Sequence, residues 1–243
     1  MPKNNQQLAT LVVKCMALIN DFLSLIYPRR CEACGGHLFG HEAFICTYCR
    51  LNLPKSGYHL ERQNRLANVL GGRIPLQHAM SLYLFEKSGR VQKLIHAIKY
   101  QEQKELGEFL GKAYAEELRK NADLQSIDLV LPIPLHRKKL KARGFNQSEW
   151  FAKGLSQGLS RQMDTASLVR VTETSTQTKK KKYQRWENVE GIFELKDSEA
   201  LKNKHVLLVD DVITTGATLE AAWQAMRHVE GIRLSVASIA FAA

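Results

Sequence analysis

The chain has 243 residues, 44% hydrophobic and 24% charged, figures that belong to a globular α/β domain of ordinary size plus a small appendage and not to a low-complexity chain. Thirty-five Lys and Arg against 24 Asp and Glu leave a net charge of +11. A field of that sign favours polyanions such as nucleic acid, pyrophosphate or an acidic membrane surface, or it marks a basic protein that binds none of them.

Residues 1–28 read as an amphipathic helix. Leu8, Leu11, Val12, Cys15, Leu18, Ile19, Phe22, Leu25 and Ile26 make an apolar stripe that stops at Pro28. Lys14, Asn20 and Asp21 interrupt the run, so no transmembrane segment is expected. The stripe is read as packing on its own protein or as resting on a membrane surface, with Cys15 a buried thiol. No signal-peptide cleavage pattern is visible, and the expected compartment is the cytoplasm.

Residues 29–53 carry Cys31, Cys34, Cys46 and Cys49 as C-x2-C-x11-C-x2-C. Two close pairs at the ends of a short loop suit tetrahedral thiolate coordination of zinc. Two disulfides are the competing reading, and they need an oxidising compartment. His37 and His41 lie inside the loop, as alternative ligands or as solvated side chains.

Residues 54–74, punctuated by Pro54, Gly57, Gly71 and Gly72, read as a connector to a larger domain at 75–243. Periodicity there predicts strands at Ala79–Phe85, Asp128–Ile133, 167–171, 192–195, 205–209 and 232–240. It predicts helices around Val91–Ile98, over 103–121 and over 145–160. Strands alternating with helices imply a largely parallel sheet covered on both faces, with ligands beyond the carboxyl ends of its strands.

The most informative segment is Val206–Thr218. Four apolar residues, Val206 to Val209, predict a buried strand, and Asp210 and Asp211 stand where it should end. Thr214, Thr215, Gly216, Ala217 and Thr218 then lead into a helix with Leu219, Ala222, Trp223 and Met226 on one face. A helix N-terminus attracts a phosphate, a glycine lets the backbone approach it, and carboxylates accept from ribose hydroxyls. The order therefore reads as a site for a phosphorylated ribose.

Two basic stretches accompany it. Arg137, Lys138, Lys139, Lys141 and Arg143 follow the Pro-Ile-Pro at 132–134 and suit a pyrophosphate or a solvated loop. The segment 170–193 includes Lys179 to Lys182 and Arg185. It reads as a loop closing over a ligand, as a track for a nucleic-acid backbone, or as a solvated loop. Dense alternation of aromatic and basic residues is not visible, although Phe145, Trp150, Tyr183 and Trp186 lie beside basic stretches.

Val-Asp-Asp-Val-Ile-Thr-Thr-Gly at 209–216 resembles the PRPP-binding motif of the type I phosphoribosyltransferases. Together with the cysteine pairs, the Pro-Ile-Pro-Leu-His…Arg-Gly-Phe-Asn-Gln block and a Thr…Gln…Arg…Asn-Val…Gly…Phe block, it resembles the ComF family of bacterial phosphoribosyltransferase-like proteins. The resemblance implies the type I phosphoribosyltransferase fold, a Rossmann-like, mainly parallel sheet with helices on both faces, preceded by a zinc module. It implies that Thr214, Thr215, Gly216, Ala217 and Thr218 hold the 5-phosphate of PRPP and that Asp210 and Asp211 meet the ribose hydroxyls. It further implies that Leu135, His136, Arg137 and Lys138 form a pyrophosphate loop, and that 172–190 is a hood whose Arg185 reaches the pyrophosphate. Leu135 stands where amidophosphoribosyltransferases, similar in this half, have Asp.

The implied cofactors are structural zinc on the four cysteines and Mg2+ travelling with PRPP. The implied role is handling of single-stranded DNA in natural transformation, alongside competence proteins. An active phosphoribosyltransferase acting on a nucleobase or amine is the alternative. Such an enzyme would use Asp210, Asp211 and Arg185 for position and charge stabilisation, with no covalent nucleophile.

Overall fold

The apolar runs become a five-stranded, all-parallel sheet in the computed structural model, which describes residues 29–172 and 191–242. The chain falls into two compact units that divide between Asn52 and Leu53. In the first, a bridge pairs Arg30 with His37, and a short helix, α1, spans Thr47–Asn52.

The second unit begins earlier than a connector at 54–74 would suggest. Helix α2, Arg65–Leu70, lies within that stretch, and Leu66, Leu70 and Ile74 are buried in the main core. Asn64 makes the segment fold: its Oδ1 accepts from Ala67 N (2.9 Å) to cap α2, while its Nδ2 donates to Ala79 O (3.0 Å). Then follow β1 (Leu76–Leu84), α3 (Arg90–Tyr100), α4 (Lys104–Leu118), β2 (Leu129–Pro132), α5 (Arg137–Arg143) and α6 (Gln147–Leu159). The rest is β3 (Gln162–Met163), β4 (Leu168–Arg170), β5 (Phe193–Leu195), β6 (His205–Ile213), α7 (Ala217–Met226) and β7 (Arg233–Phe241).

The sheet order is β1-β7-β6-β2-β3. From β2 the chain crosses through α6 to β3 at one edge, and from β6 it crosses through α7 to β7 on the other side. Crossovers that diverge in this way leave a crevice beyond the carboxyl ends of β2 and β6, the place where open α/β sheets bind ligands. Val206 and Leu208 of β6 join Leu219, Ala222 and Met226 of α7 in the core, with Leu129 and Leu131 of β2.

Three features differ from the sequence expectation. Strand β6 does not end before the acidic pair but continues to Ile213, because backbone pairing with β7 carries on through Asp210↔Ser238 and Val212↔Ala240. The segments near 167–171 and 192–195 form a separate antiparallel ribbon, β4 with β5, outside the parallel sheet. Part of the basic stretch after Pro134 is helical: His136 Nδ1 accepts from Lys138 N (3.3 Å) to start α5, and Gly144, at φ 83°, ends it in a left-handed turn. The N-terminal amphipathic stretch with Cys15 lies outside the described residues. Among those described, no helix is long and apolar enough to cross a membrane.

Helices α4 and α6 cross with their backbones nearly touching. A Cβ on Gly111 would meet the Phe151 carbonyl and Leu155 N, and one on Gly154 would meet the Glu108 carbonyl and Lys112 N. Beside them the Tyr114 and Phe151 rings stack in the buried core at 6.4 Å. Asn146 fixes the start of α6: its Oδ1 accepts from Ser148 N (3.2 Å) and its Nδ2 donates to Ile133 O at the end of β2 (3.0 Å). At the opposite end of the sheet, His205 is buried between Ser126 Oγ and Ser235 Oγ, each 2.8 Å from a ring nitrogen. Burial first, then the nearby Arg233 and His78 charges, push His205 down to about 4.

Because the crossing is backbone against backbone, no side chain can yield to an added methyl. Gly154→Ala is expected to lower stability by about 1–3 kcal/mol. In urea unfolding the midpoint should fall while the slope stays unchanged, and an unaltered midpoint would mean that the helices can part freely.

Candidate functional site

The two carboxylates lie at the carboxyl end of β6, adjacent in sequence and differently held. Asp210 Oδ1 accepts from Ser148 Oγ at 3.0 Å and from the Asp211 backbone N–H at 2.8 Å. Asp211 Oδ2 pairs with Lys99 Nζ at 2.8 Å, and its Oδ1 accepts from Val212 N at 2.7 Å. Burial, and then the negative charge of Asp211, push Asp210 up to about 7; the Asp211 N–H, Ser148 and Lys99 oppose the shift without cancelling it. Arg170 on β4 feels the same carboxylate: burial lowers its pKa, and Asp210 opposes the shift without cancelling it.

Residues 214–218 form the turn into α7. Gly216 has φ 76°, and a Cβ there would collide with the Leu70 side chain, so both backbone conformation and space demand glycine. Thr214, Thr215, Gly216, Ala217 and Thr218 line a cavity of about 50 Å3 together with Asp210. One water needs roughly 10–15 Å3 on such a measure, so the space accepts a group of several heavy atoms. It opens on the N-terminus of a ten-residue helix whose first N–H groups receive no side-chain cap from Gly216.

Arg73, in the turn between α2 and β1, braces this loop from behind. Its Nη2 donates to Thr215 O at 2.8 Å and to Val69 O, and its Nη1 pairs with Glu220 Oε2 at 2.9 Å. The Thr215 carbonyl therefore faces a cation.

The expected pyrophosphate loop, Leu135 to Lys138, begins three residues beyond β2, whose Pro132 sits opposite Val209 in the sheet. It thus leaves the strand next to the acidic pair, but none of its residues lines the threonine cavity. Arg185 and residues 173–190 of the expected hood lie outside the described residues. Thr172 is described, and its Oγ1 donates to Gly191 O at 2.8 Å.

Three side chains of the site went unassigned in the sequence. Ser148 directly follows the Arg-Gly-Phe-Asn-Gln block and could have been found by its place two residues after Asn146. Lys99 is one lysine among many on an amphipathic helix, and Arg73 lies in what read as a connector. Neither carries a local signal.

In the first unit, the Sγ atoms of Cys31, Cys34, Cys46 and Cys49 all lie within 4.8 Å of one another, positioned to hold a metal ion, with Cys34 and Cys46 3.8 Å apart. Backbone N–H groups point at the sulfurs: Cys46 N to Cys31 Sγ (3.3 Å), Gly36 N to Cys34 Sγ (3.4 Å) and Cys49 N to Cys46 Sγ (3.5 Å). Burial works against the Cys31 thiolate, but the N–H groups of Cys46, Cys34 and Ala33 outweigh it and lower Cys31 to about 7. Glu42 ties the loop by accepting from Phe39 N (2.8 Å) and Thr47 Oγ1 (2.7 Å), contacts that hold its carboxyl at about 2. His37 and His41 are exposed and outside the cluster.

Residues 146–242 match the phosphoribosyl transferase domain. The chain is 31% identical to Competence protein F of Haemophilus influenzae over 213 residues, 82% of this chain and 91% of that protein. It is 32% identical over 129 residues to the DNA utilization protein YhgH of Escherichia coli K12, 52% of this chain and only 56% of that protein's length. It is 36% identical over 94 residues to Competence protein ComFC of Bacillus subtilis, 39% of this chain and 36% of that protein.

Arg73→Met removes the brace on the Thr215 carbonyl. Loss of a charged hydrogen bond is worth about 1.5–3 kcal/mol. Amide hydrogen exchange over 214–218 should therefore quicken by at least about tenfold while β6 and β7 stay protected. Unchanged exchange at these amides would show that the loop holds its shape without Arg73.

Proposed function

Because the chain belongs to the ComF family of phosphoribosyltransferase-like proteins, we propose that it binds PRPP with Mg2+ at the end of β6 and handles single-stranded DNA during natural transformation. The observation that carries the first half is the cavity of Thr214–Thr218, open at a helix N-terminus and bordered by Asp210. A 5-phosphate in that cavity would meet unpaired N–H groups and threonine hydroxyls. The ribose hydroxyls would then fall at Asp210 and Asp211, and the pyrophosphate would extend toward Leu135, His136, Arg137 and Lys138 beyond β2. Magnesium favours substrate phosphates and few carboxylates, which fits a site with two acidic side chains and several cations around it. Its contribution when bound is to neutralise the pyrophosphate.

The chain's own residues do the positioning. Ser148 orients Asp210, and Lys99 holds Asp211 until a ligand hydroxyl or cation takes that contact. Asp210, raised toward neutrality by burial, is poised to accept from a hydroxyl and to ionise fully once positive charge enters the site. The second half of the proposal is supported by the relatives named for competence and DNA utilization and by the net charge of +11. Competence proteins on the cytoplasmic side are the partners this role implies.

The double variant Asp210→Asn, Asp211→Asn is expected to weaken PRPP–Mg2+ binding at least about tenfold, since hydrogen bonds to charged groups are worth about 1.5–3 kcal/mol each. Calorimetry checks the affinity and thermal melting checks the fold; unchanged affinity refutes the ribose assignment.

For the cysteine cluster the proposed ion is structural Zn2+. Tetrahedral Zn–S bonds of about 2.3 Å set sulfur atoms about 3.8 Å apart, the separation seen between Cys34 and Cys46. Elemental analysis of protein purified without chelator should find about one zinc per chain. Less than a tenth of that, with thiols free, would remove the assignment.

A further inference from the structure

The aromatic and basic alternation that the sequence does not display is assembled by the fold from two segments. A second cavity, of about 490 Å3, opens where the end of α3 faces α5, lined by Lys99, Tyr100, Glu102, Lys139, Arg143 and Phe145. Its volume lies within the range of about 300–1,000 Å3 usual for small-molecule sites. Tyr100 stands at its edge with 65% of its surface exposed, and the Arg143 guanidinium lies over its ring at 5.5 Å. Arg143 is itself fixed, its Nη1 donating to Gln147 Oε1 at 2.6 Å.

A second group of the same kind lies a few residues along each segment. Trp150 has Lys104 Nζ at 5.1 Å and Lys153 Nζ at 4.4 Å from its ring centre. Tyr100 and Lys104 are separated by the short link between α3 and α4, where Glu102 takes φ 57° and turns the chain sharply. Arg143 and Trp150 flank the cap of α6. The two aromatic–cation groups thus lie within a few residues of each other along both segments.

We infer that this surface is the track of a single strand of DNA, with one unpaired base seated in the cavity against Tyr100 and the next approaching Trp150. Every base has a π-face, so stacking of this kind tolerates any sequence, while flanking cations follow the phosphates. A repeated aromatic–cation arrangement extending past the cavity fits a polymer better than a lone mononucleotide. The track ends at the PRPP side of the molecule, because Lys99 both lines the cavity and pairs with Asp211. The assignment rests on the single-strand half of the function proposed above.

The test uses the full chain and a fluorescently labelled 12-residue oligothymidylate, with binding read by anisotropy between 50 and 200 mM salt. Wild-type affinity should fall with salt, by a slope of about −0.7 for each phosphate contact. Tyr100→Leu should weaken binding about tenfold at every salt concentration, since base stacking on an aromatic is worth that or more. Lys139→Gln should instead flatten the slope by about 0.7. Photo-crosslinking of bromouracil-substituted oligonucleotide to wild-type protein gives a reading independent of variant folding, with Tyr100 or Trp150 as the expected sites.

Wild-type binding that neither variant alters, or crosslinks confined to other residues, overturns the track and leaves the single-strand reading standing. Duplex DNA or thymidine monophosphate competing as well as unlabelled oligothymidylate also overturns it, because stacking along the track needs consecutive unpaired bases. Absence of any wild-type binding to the oligonucleotide would sink the single-strand reading itself.

Discussion

Two negative charges on consecutive residues at the end of a central strand repel each other, and much of the surrounding architecture answers that repulsion. Asp211 is neutralised by Lys99 from the end of α3. Asp210 keeps its proton to about pH 7 and takes the hydroxyl of Ser148. Ser148 is where it is because Asn146 pins the start of α6 to the end of β2, and α6 is seated by glycines that bring it against α4. A helix crossing well away from the carboxylates therefore bears on their geometry.

The threonine loop obeys a second constraint, the sharp turn from β6 into α7. Gly216 allows the turn, Leu70 fills the space behind it, and Arg73 draws the Thr215 carbonyl backward. Leu70 and Arg73 come from the stretch between the cysteine module and β1, so residues without any motif character shape the most motif-like part of the chain. The acidic pair and the loop lie on the same crossover, β6 to α7.

The sequence made the central strand, the acidic pair, the glycine turn and the four-cysteine cluster legible, because each is specified by residue types at fixed short spacing. Strand β6 ran past its expected end because carboxylates can occupy a strand whose neighbour supplies backbone partners. The ribbon of β4 and β5 was visible as two strands but not as a separate sheet, since apolar runs do not announce their partners. Lys99, Arg73 and the pairing of Tyr100 with Arg143 were not legible at all. Each joins positions more than 40 residues apart, and no local pattern encodes such a meeting.

Strand β6 carries a proton-sensitive group at each end, and the two respond to acid in opposite senses. Asp210, whose pKa rises on folding to about 7 from 3.8, relieves an unfavourable buried charge as pH drops through that interval. His205, whose pKa falls on folding from 6.5 to about 4, is stabilising while neutral and loses that advantage over nearly the same interval. Mild acid therefore acts on this strand in opposite senses, easing the buried charge at Asp210 while working against neutral His205.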